Sequence, residues 1–160
     1  VSEALEDSLV DETVSGAITA LCRSIEPGDY FSLNAFLPFT GEGRREALEE
    51  IRHSIAERCR IPSCLEIGPR YLHSTGQLHK GGRNNGVFLV LSADEPRDIE
   101  VENAKAQSLG ELEKAQAMGD FSILSSRGRR CVYIHLPDNS SVTLRLLSKV
   151  LRNVVARVTE

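Results

Sequence analysis

The chain has 160 residues, 41% of them hydrophobic and 26% charged, with a formal charge of −4. That length fits one domain burying roughly 70% of its unfolded surface, and the net acidity excludes broad nucleic-acid binding, which needs basic tracks along the phosphates. No apolar run approaches the ~18 residues of a membrane span and no signal-peptide pattern opens the chain, so neither insertion nor export is expected.

The order of elements begins with a predicted helix over Ser2 to Arg23, in which Val10, Val14, Ala17 and Leu21 fall on one face. Pro27-Gly28-Asp29 is a turn, and Tyr30 to Leu37 reads as a strand that Pro38 ends. A second helix runs from Arg44 to Arg58 with Leu48, Ile51 and Ile55 inward. Cys64 to Ile67 is a short strand leading into a glycine-rich loop. Val87 to Leu91, five apolar residues in succession, predicts a strand buried on both faces, as in a parallel sheet covered by helices. Residues 93 to 107 are charged and irregular, with a short edge strand at Ile99 to Val101.

Ser108 and Glu111 form a capping-box pattern that starts a third helix. It places Leu109, Leu112 and Gln116 inward and bends near Gly119-Asp120, closing before Gly128. Arg127-Gly128-Arg129-Arg130 reads as a solvated turn. Cys131 to Leu136 is a further apolar strand. In the final helix, Ser141 to Val158, the residues Leu144, Leu147, Leu151, Val154 and Val158 step three, four, three, four. The alternation predicts a single α/β domain over residues 1–160, a three-layer α/β/α sandwich with a mainly parallel sheet of four to five strands. Ligands of such sheets bind outside the carboxyl ends of the strands.

Four cysteines, Cys22, Cys59, Cys64 and Cys131, do not form a disulfide framework in a domain with this much core. Cys22 and Cys131 read as buried thiols, and Cys59 and Cys64 lack a second cysteine pair to complete a zinc site. A reducing, cytoplasmic compartment is expected, with no metal and no cofactor.

Residues 68–83, running Gly-Pro-Arg-Tyr-Leu-His-Ser-Thr-Gly-Gln-Leu-His-Lys-Gly-Gly-Arg, carry Arg70, Lys80 and Arg83 and no carboxylate, while the rest of the chain sums to −7. Cationic side chains and free backbone N–H groups favour phosphate or carboxylate oxygens, so this donor-rich stretch is a candidate anion site. His73 fits a general acid/base, because imidazole titrates near neutral pH, or a histidine that only fixes its loop. Arg70 and Lys80 are phosphate ligands or surface charge; Ser74, Thr75 and Gly76 offer donors to a ligand or cap a helix. His79 reads as structural or interfacial as readily as functional. Glu66 and Glu42 are the nearest carboxylate bases, Glu66 equally able to face solvent or pair with Arg70. Gly81, Gly82 and Gly86 serve turn geometry, Lys114 is a solvated charge, and His135 is a satisfied buried histidine.

The run from Gly68 to Gly82 resembles the carboxy-terminal region of bifunctional transaldolase/glucose-6-phosphate isomerase fusion proteins. The likeness continues through Asn85-Gly86-Val87-Phe88-Leu89, Leu109-Gly110 to Gly119-Asp120, and Arg127 to Leu136, and upstream through Gly28-Asp29-Tyr30 and Leu37-Pro38. It implies a phosphosugar-isomerase module of the sugar-isomerase (SIS) type, interconverting glucose 6-phosphate and fructose 6-phosphate without a cofactor. Isomerases of this kind open the sugar ring and move a proton between C1 and C2, with a glutamate as base and a histidine and lysine assisting. Carried onto this chain, the resemblance implies His73 as acid/base, Glu66 as a weaker catalytic candidate, and Arg70, Ser74, Thr75, Gly76, Gln77, His79 and Lys80 as substrate-binding residues. The family's Asn-Pro-Phe-Asp-Gln-Pro signature and the transaldolase barrel have no counterpart among these residues. The chain is therefore expected to be a carboxy-terminal piece whose partners are a phosphorylated sugar and the other domains of the fusion, with homo-oligomer formation left open. A noncatalytic docking, oligomerisation or phosphosugar-sensing domain is the alternative.

Overall fold

Alternate residues of a strand go to opposite faces of its sheet, and the strands here bury side chains on both. Phe31, Leu33 and Ala35 point one way from β1 (Tyr30–Phe36), and Ser32, Asn34 and Phe36 point the other. The computed structural model describes residues 1–38, 41, 43–101 and 108–158. Within it β1 joins β2 (Ser63–Ile67), β3 (Gly86–Ala93) and β4 (Arg130–Leu136) in one sheet. Every pairing is parallel and the spatial order is β2-β1-β3-β4. The expected three-layer α/β/α sandwich is present with four strands.

Helices cover both faces. On one lie α2 (Val14–Arg23), α3 (Arg44–Cys59) and α6 (Ser141–Val158), which bury Ile18, Leu21, Leu48, Ile51, Leu144 and Leu151 against Leu33, Leu89 and Val132. On the other lie α4 (Thr75–Gly81) and α5 (Leu109–Ser126), over a smaller core of Phe36, Tyr71, Phe88, Val90, Ala117 and Leu124. This second face changes character across the sheet. Under α5 it is apolar, whereas Cys64, Glu66, Ser32 and Asn34, in register on β2 and β1, make it polar near α4.

Several sequence expectations are corrected. The first helix is two pieces, α1 (Glu3–Glu6) and α2, because Thr13 caps the second by accepting from the Gly16 N–H. Val10 and Val14 are consequently exposed and only the Leu21 end of the predicted face is buried. Ser2 instead lies along β4, donating its N–H to the Cys131 carbonyl and accepting from the Cys131 N–H. The glycine-rich loop is a 3-10 turn, Arg70–His73, followed by α4. Residues 99–101 give a single bridge, Glu100 to Ser108, not a strand. Helix α5 starts at the Ser108 cap as expected but runs through Gly119-Asp120, and Leu109 and Leu112 are exposed. Arg129 and Arg130 are not solvated: Arg129 is buried, and Arg130 makes a bidentate pair with Asp29 at 2.8 and 3.0 Å. Cys22 and Cys131 are buried thiols, as read. Glu42 and residues 102–107 lie outside the described residues. Among the described residues, no helix is long and apolar enough to cross a membrane.

Candidate functional site

The chain begins the sheet at β1, moves outward to β2, then returns to the other side of β1 to lay down β3. The strand order therefore reverses between β1 and β3, and the crevice outside their carboxyl ends is where an open α/β sheet receives ligands. A cleft of about 360 Å³ opens there. Pro38 ends β1, Pro69 follows β2, and Glu95 follows β3; all three line it. The first turns of α5 close the other wall through Gly110, Leu112, Glu113 and Gln116. Gln116, half-buried, lines the cleft beside Leu109 and Leu112.

The electrostatics of this cleft are acidic. Glu95, Asp98 and Glu113 line it, with Arg97 the cation among its described residues. Asp98 already sits at the start of α5, accepting from the N–H groups of Gly110 and Ile99 at 2.8 Å each. A carboxylate there is favoured by the helix dipole. Hydrogen bonds from the Ser108 hydroxyl and the Gly110 amide hold the Asp98 carboxyl below its ordinary range. Glu113 behaves oppositely: burial pushes its carboxyl up, and the neighbouring Glu95 charge adds to the rise. Two carboxylates of opposite tendency therefore share one cleft, the pattern from which acid and base roles are assigned.

Over the ends of β3 and β4, outside the residues that line this cleft, His135 borders a separate cavity with Tyr133 and Ile134. His135 Nδ1 is 2.8 Å from the Ser92 hydroxyl, and its Nε2 lies 2.9 Å from Asp94 Oδ1 and 3.1 Å from Lys114 Nζ. Both ring nitrogens are satisfied, as predicted, but the side chain is 24% exposed, and Lys114 contacts it instead of standing free in water. Ser92 is buried, and its hydroxyl also bonds the Tyr133 phenol. With no exposed oxygen, Ser92 orients the imidazole and is not a nucleophile.

The residues of the glycine-rich stretch divide sharply. His73, Ser74, Thr75 and Gln77 are exposed, and Gln77 donates to the Leu72 carbonyl at 2.7 Å. Arg70 is exposed at the start of the 3-10 turn, and Gly76 is buried against Tyr71, where a Cβ would meet the Tyr71 carbonyl at 2.9 Å. His79 is buried and Lys80 largely so, through the contacts that hold α4 down. Lys80 Nζ pairs with Asp120 Oδ1 at 2.7 Å, and the Tyr71 hydroxyl donates to the other Asp120 oxygen. Arg129 donates to the carbonyls of Lys80 and Gly82 at 2.9 and 2.6 Å. The Lys80 charge is therefore compensated inside the domain and is not presented to a phosphate. His73 and His79 do not face one another across a common mouth, since one is at the surface and the other packs among aromatic rings.

The His79 ring lies against Phe88, Tyr30 and Tyr71, with centroids 5.1, 5.9 and 6.1 Å away. Burial pushes its imidazole below the usual range, Asp120 opposing and Lys80 and Arg129 reinforcing the shift. Among the described residues its Nδ1 is buried without a hydrogen-bond partner, an omission that typically costs about 1–3 kcal/mol. Donor atoms of Cys64, Glu66 and His79 all lie within 4.8 Å of one another. Glu66 thus stands in a half-buried group of potential ligands.

Sequence reading did not single out Glu113, Asp94, Glu95 or Asp120. Glu113 carried a usable signal, since Ser108 fixes where α5 starts and the order of elements places that start at the carboxyl edge. Asp120 carried none, because its partners lie 40 to 49 positions away.

No family model and no curated protein matches the chain. Among solved structures, the hypothetical protein TT0462 from Thermus thermophilus is similar, with a TM-score of 0.73 at 15% identity. The alignment covers 95% of this chain and 41% of that one, so the chain spans about two fifths of its neighbour's length. At that identity the likeness shows the three-layer α/β fold alone.

Proposed function

We propose that the chain is a cytoplasmic phosphosugar-isomerase module, one part of a larger transaldolase/phosphoglucose isomerase fusion, whose proton-transfer group lies in the switch-point cleft. The carrying observation is Glu113, a half-buried carboxylate facing the crevice outside β1 and β3, with its pKa raised by burial and by Glu95. An aldose–ketose interconversion needs such a group. The C2 proton passes to the carboxylate and its electron pair forms C1=C2 as the C1=O π pair moves onto O1, which takes a proton to give the enediol. O2 then gives up its proton to solvent, C2=O forms, and the C1=C2 pair takes the carboxylate's proton at C1. A base with a pKa moved toward the working pH is the efficient one for this exchange. His135, flanked by Asp94 and Lys114, supplies an acid/base at the same edge for ring opening. The acidic lining suits sugar hydroxyls better than phosphate, so the phosphate end is met outside the cleft. In this reading His73 is not the acid/base, and Glu66 is not the base.

Titration of the isotope-labelled chain with 6-phosphogluconate tests the reading. Resonances of Gly110, Leu112, Glu113 and Gln116 are expected to move, with Glu113→Gln weakening binding by about tenfold, the loss of one charge-assisted hydrogen bond. Unmoved cleft resonances at saturating ligand overturn it.

One observation favours the noncatalytic alternative. Ile99, Leu109 and Leu112, 62%, 47% and 43% exposed, rim the same cleft, and apolar rims commonly mark protein contacts. A stable self-association abolished by Leu112→Glu, together with unmoved cleft resonances, decides for docking.

A further inference from the structure

The polar strip under α4 has a chemistry of its own. Cys64 and Glu66 are alternate residues of β2, so their side chains leave the same face. Opposite them in register stand Ser32 and Asn34 of β1, which makes the floor beneath polar. Cys64 Sγ donates to the Ser32 hydroxyl at 3.3 Å, and that hydroxyl donates to Asn34 Oδ1 at 2.6 Å. From above, α4 brings His79 down onto this strip. One thiol sulfur, one carboxylate oxygen and one imidazole nitrogen then lie within 4.8 Å of one another.

We infer that Cys64, Glu66 and His79 form a three-ligand site for a divalent zinc ion, with water completing the tetrahedron. The donor set selects the metal. Calcium and magnesium take oxygen ligands, whereas a mixed sulfur, nitrogen and oxygen set suits zinc. Zn–S and Zn–N bonds of about 2.3 and 2.0 Å put tetrahedral donors about 3.5 Å apart. From within 4.8 Å of one another, the three donors therefore need to draw in by about 1 Å or less each. His79 is 4% exposed, and its Nδ1 has no partner among the described residues. Its ring is already fixed by Tyr30, Tyr71 and Phe88, and its helix by the Lys80–Asp120 pair and by Arg129. Such support around a ligand is what a preorganised metal site requires. On binding, the Cys64 thiol gives its proton to solvent. The Ser32 hydroxyl can turn its own proton toward the resulting thiolate, and the two anionic ligands balance the dication. The site is separate from the cleft, so it stands or falls independently of the isomerase reading.

Zinc and cobalt titrations of the chelator-treated chain test the site. One Zn2+ is expected to bind per chain, releasing about one proton, and Co2+ is expected to give a thiolate-to-cobalt charge-transfer band. Cys64→Ser, a near-isosteric change, should abolish the band and weaken zinc binding by more than the 10- to 100-fold typical of a lost outer-shell partner. Glu66→Gln should weaken zinc binding at least about tenfold while keeping the band. Equal zinc affinity in wild type and Cys64→Ser overturns the site, as does a cobalt band that survives in Cys64→Ser but vanishes in Cys59→Ser.

Discussion

Lys80 Nζ and Asp120 Oδ1 meet at 2.7 Å between α4 and α5, with the Asp120 side chain 1% exposed and that of Lys80 14% exposed. This pair explains why the most cationic stretch of the chain does not present all its charge to a ligand. Asp120 also accepts from Tyr71, whose phenol is driven well above its usual range by burial and by the adjacent Asp120 charge. The three side chains clamp the 3-10 turn, α4 and α5 together.

Removing one member of a buried ion pair leaves the other charge without compensation, which typically costs about 3–5 kcal/mol. Asp120→Ala is therefore expected to lose about that much stability in urea denaturation, and Lys80→Met a comparable amount. Tyr71→Phe, which removes one hydrogen bond to a charged group, should lose about 1.5–3 kcal/mol. Arg23→Ala, at an exposed position on α2, is the control and should stay within about 0.5 kcal/mol of wild type.

Asp29 joins the turn before β1 to Arg130 at the start of β4, and also accepts from the Glu26 N–H at 2.7 Å. Burial alone pulls its carboxyl upward, but the hydrogen bonds from Arg130 and Glu26 and the Arg130 charge outweigh that and hold it below the ordinary range. A depressed folded pKa gives stability that is present above the unfolded value near 3.9 and is lost as pH falls through the folded value. Asp29→Asn should accordingly be less stable than wild type at pH 7, with the difference shrinking below about pH 4. Parallel pH–stability profiles, with no narrowing in acid, would contradict the assignment.

Strong local signals were the legible ones. Residues 141–158 repeat leucine and valine at helical spacing, and α6 has the predicted bounds. The five apolar residues Val87 to Leu91 required burial on both sides and lie at the centre of β3. What failed were inferences of facing from short apolar patterns. Val10 and Val14 share a helical spacing, but the Thr13 cap between them starts a new helix, so no common face exists. Leu109 and Leu112 are apolar yet rim the cleft, because α5 buries Ala117, Asp120 and Leu124 farther along. The candidate cleft lies at the carboxyl edge of the parallel sheet, the general place expected for a ligand, but its lining residues are not the site residues that the sequence singled out. Charge in residues 68–83 suggested anion binding, and partners remote in sequence had already compensated Lys80. Nor could spacing reveal that His79 descends onto Cys64 and Glu66, since only the β1–β2 register and the clamp on α4 bring them together.

Gly68 follows β2 where the chain turns toward the cleft, and a Cβ there would lie 2.4 Å from the Phe36 ring. Phe36 is fully packed in the core beneath α4 and α5, so neither partner can give way cheaply. Overpacking of this kind typically costs about 1–3 kcal/mol. Gly68→Ala should lower the urea midpoint by that equivalent without changing the slope. Gly119→Ala, at an open position of α5 where an added Cβ meets nothing within 4 Å, should instead gain about 0.4–1 kcal/mol.

Glu113 makes the opposite pH prediction from Asp29. Burial and the nearby Glu95 charge raise its carboxyl in the folded state, so at pH between the unfolded and folded values the folded chain holds a proton that the unfolded chain has lost. Stability contributed by this group is then greatest below the unfolded value near 4.3 and declines as pH rises through the folded value. Replacing it with Gln keeps the shape and removes the charge. Glu113→Gln should therefore be more stable than wild type at pH 7, by about 0.5–2 kcal/mol, and no more stable at pH 3.5. A residue retained purely for packing would not be held in a state that weakens the fold at neutral pH. Coupled to the expected loss of 6-phosphogluconate binding, a gain in stability identifies Glu113 as a group kept for its chemistry. A variant destabilised at both pH values would show instead that the carboxylate is a structural partner within the cleft.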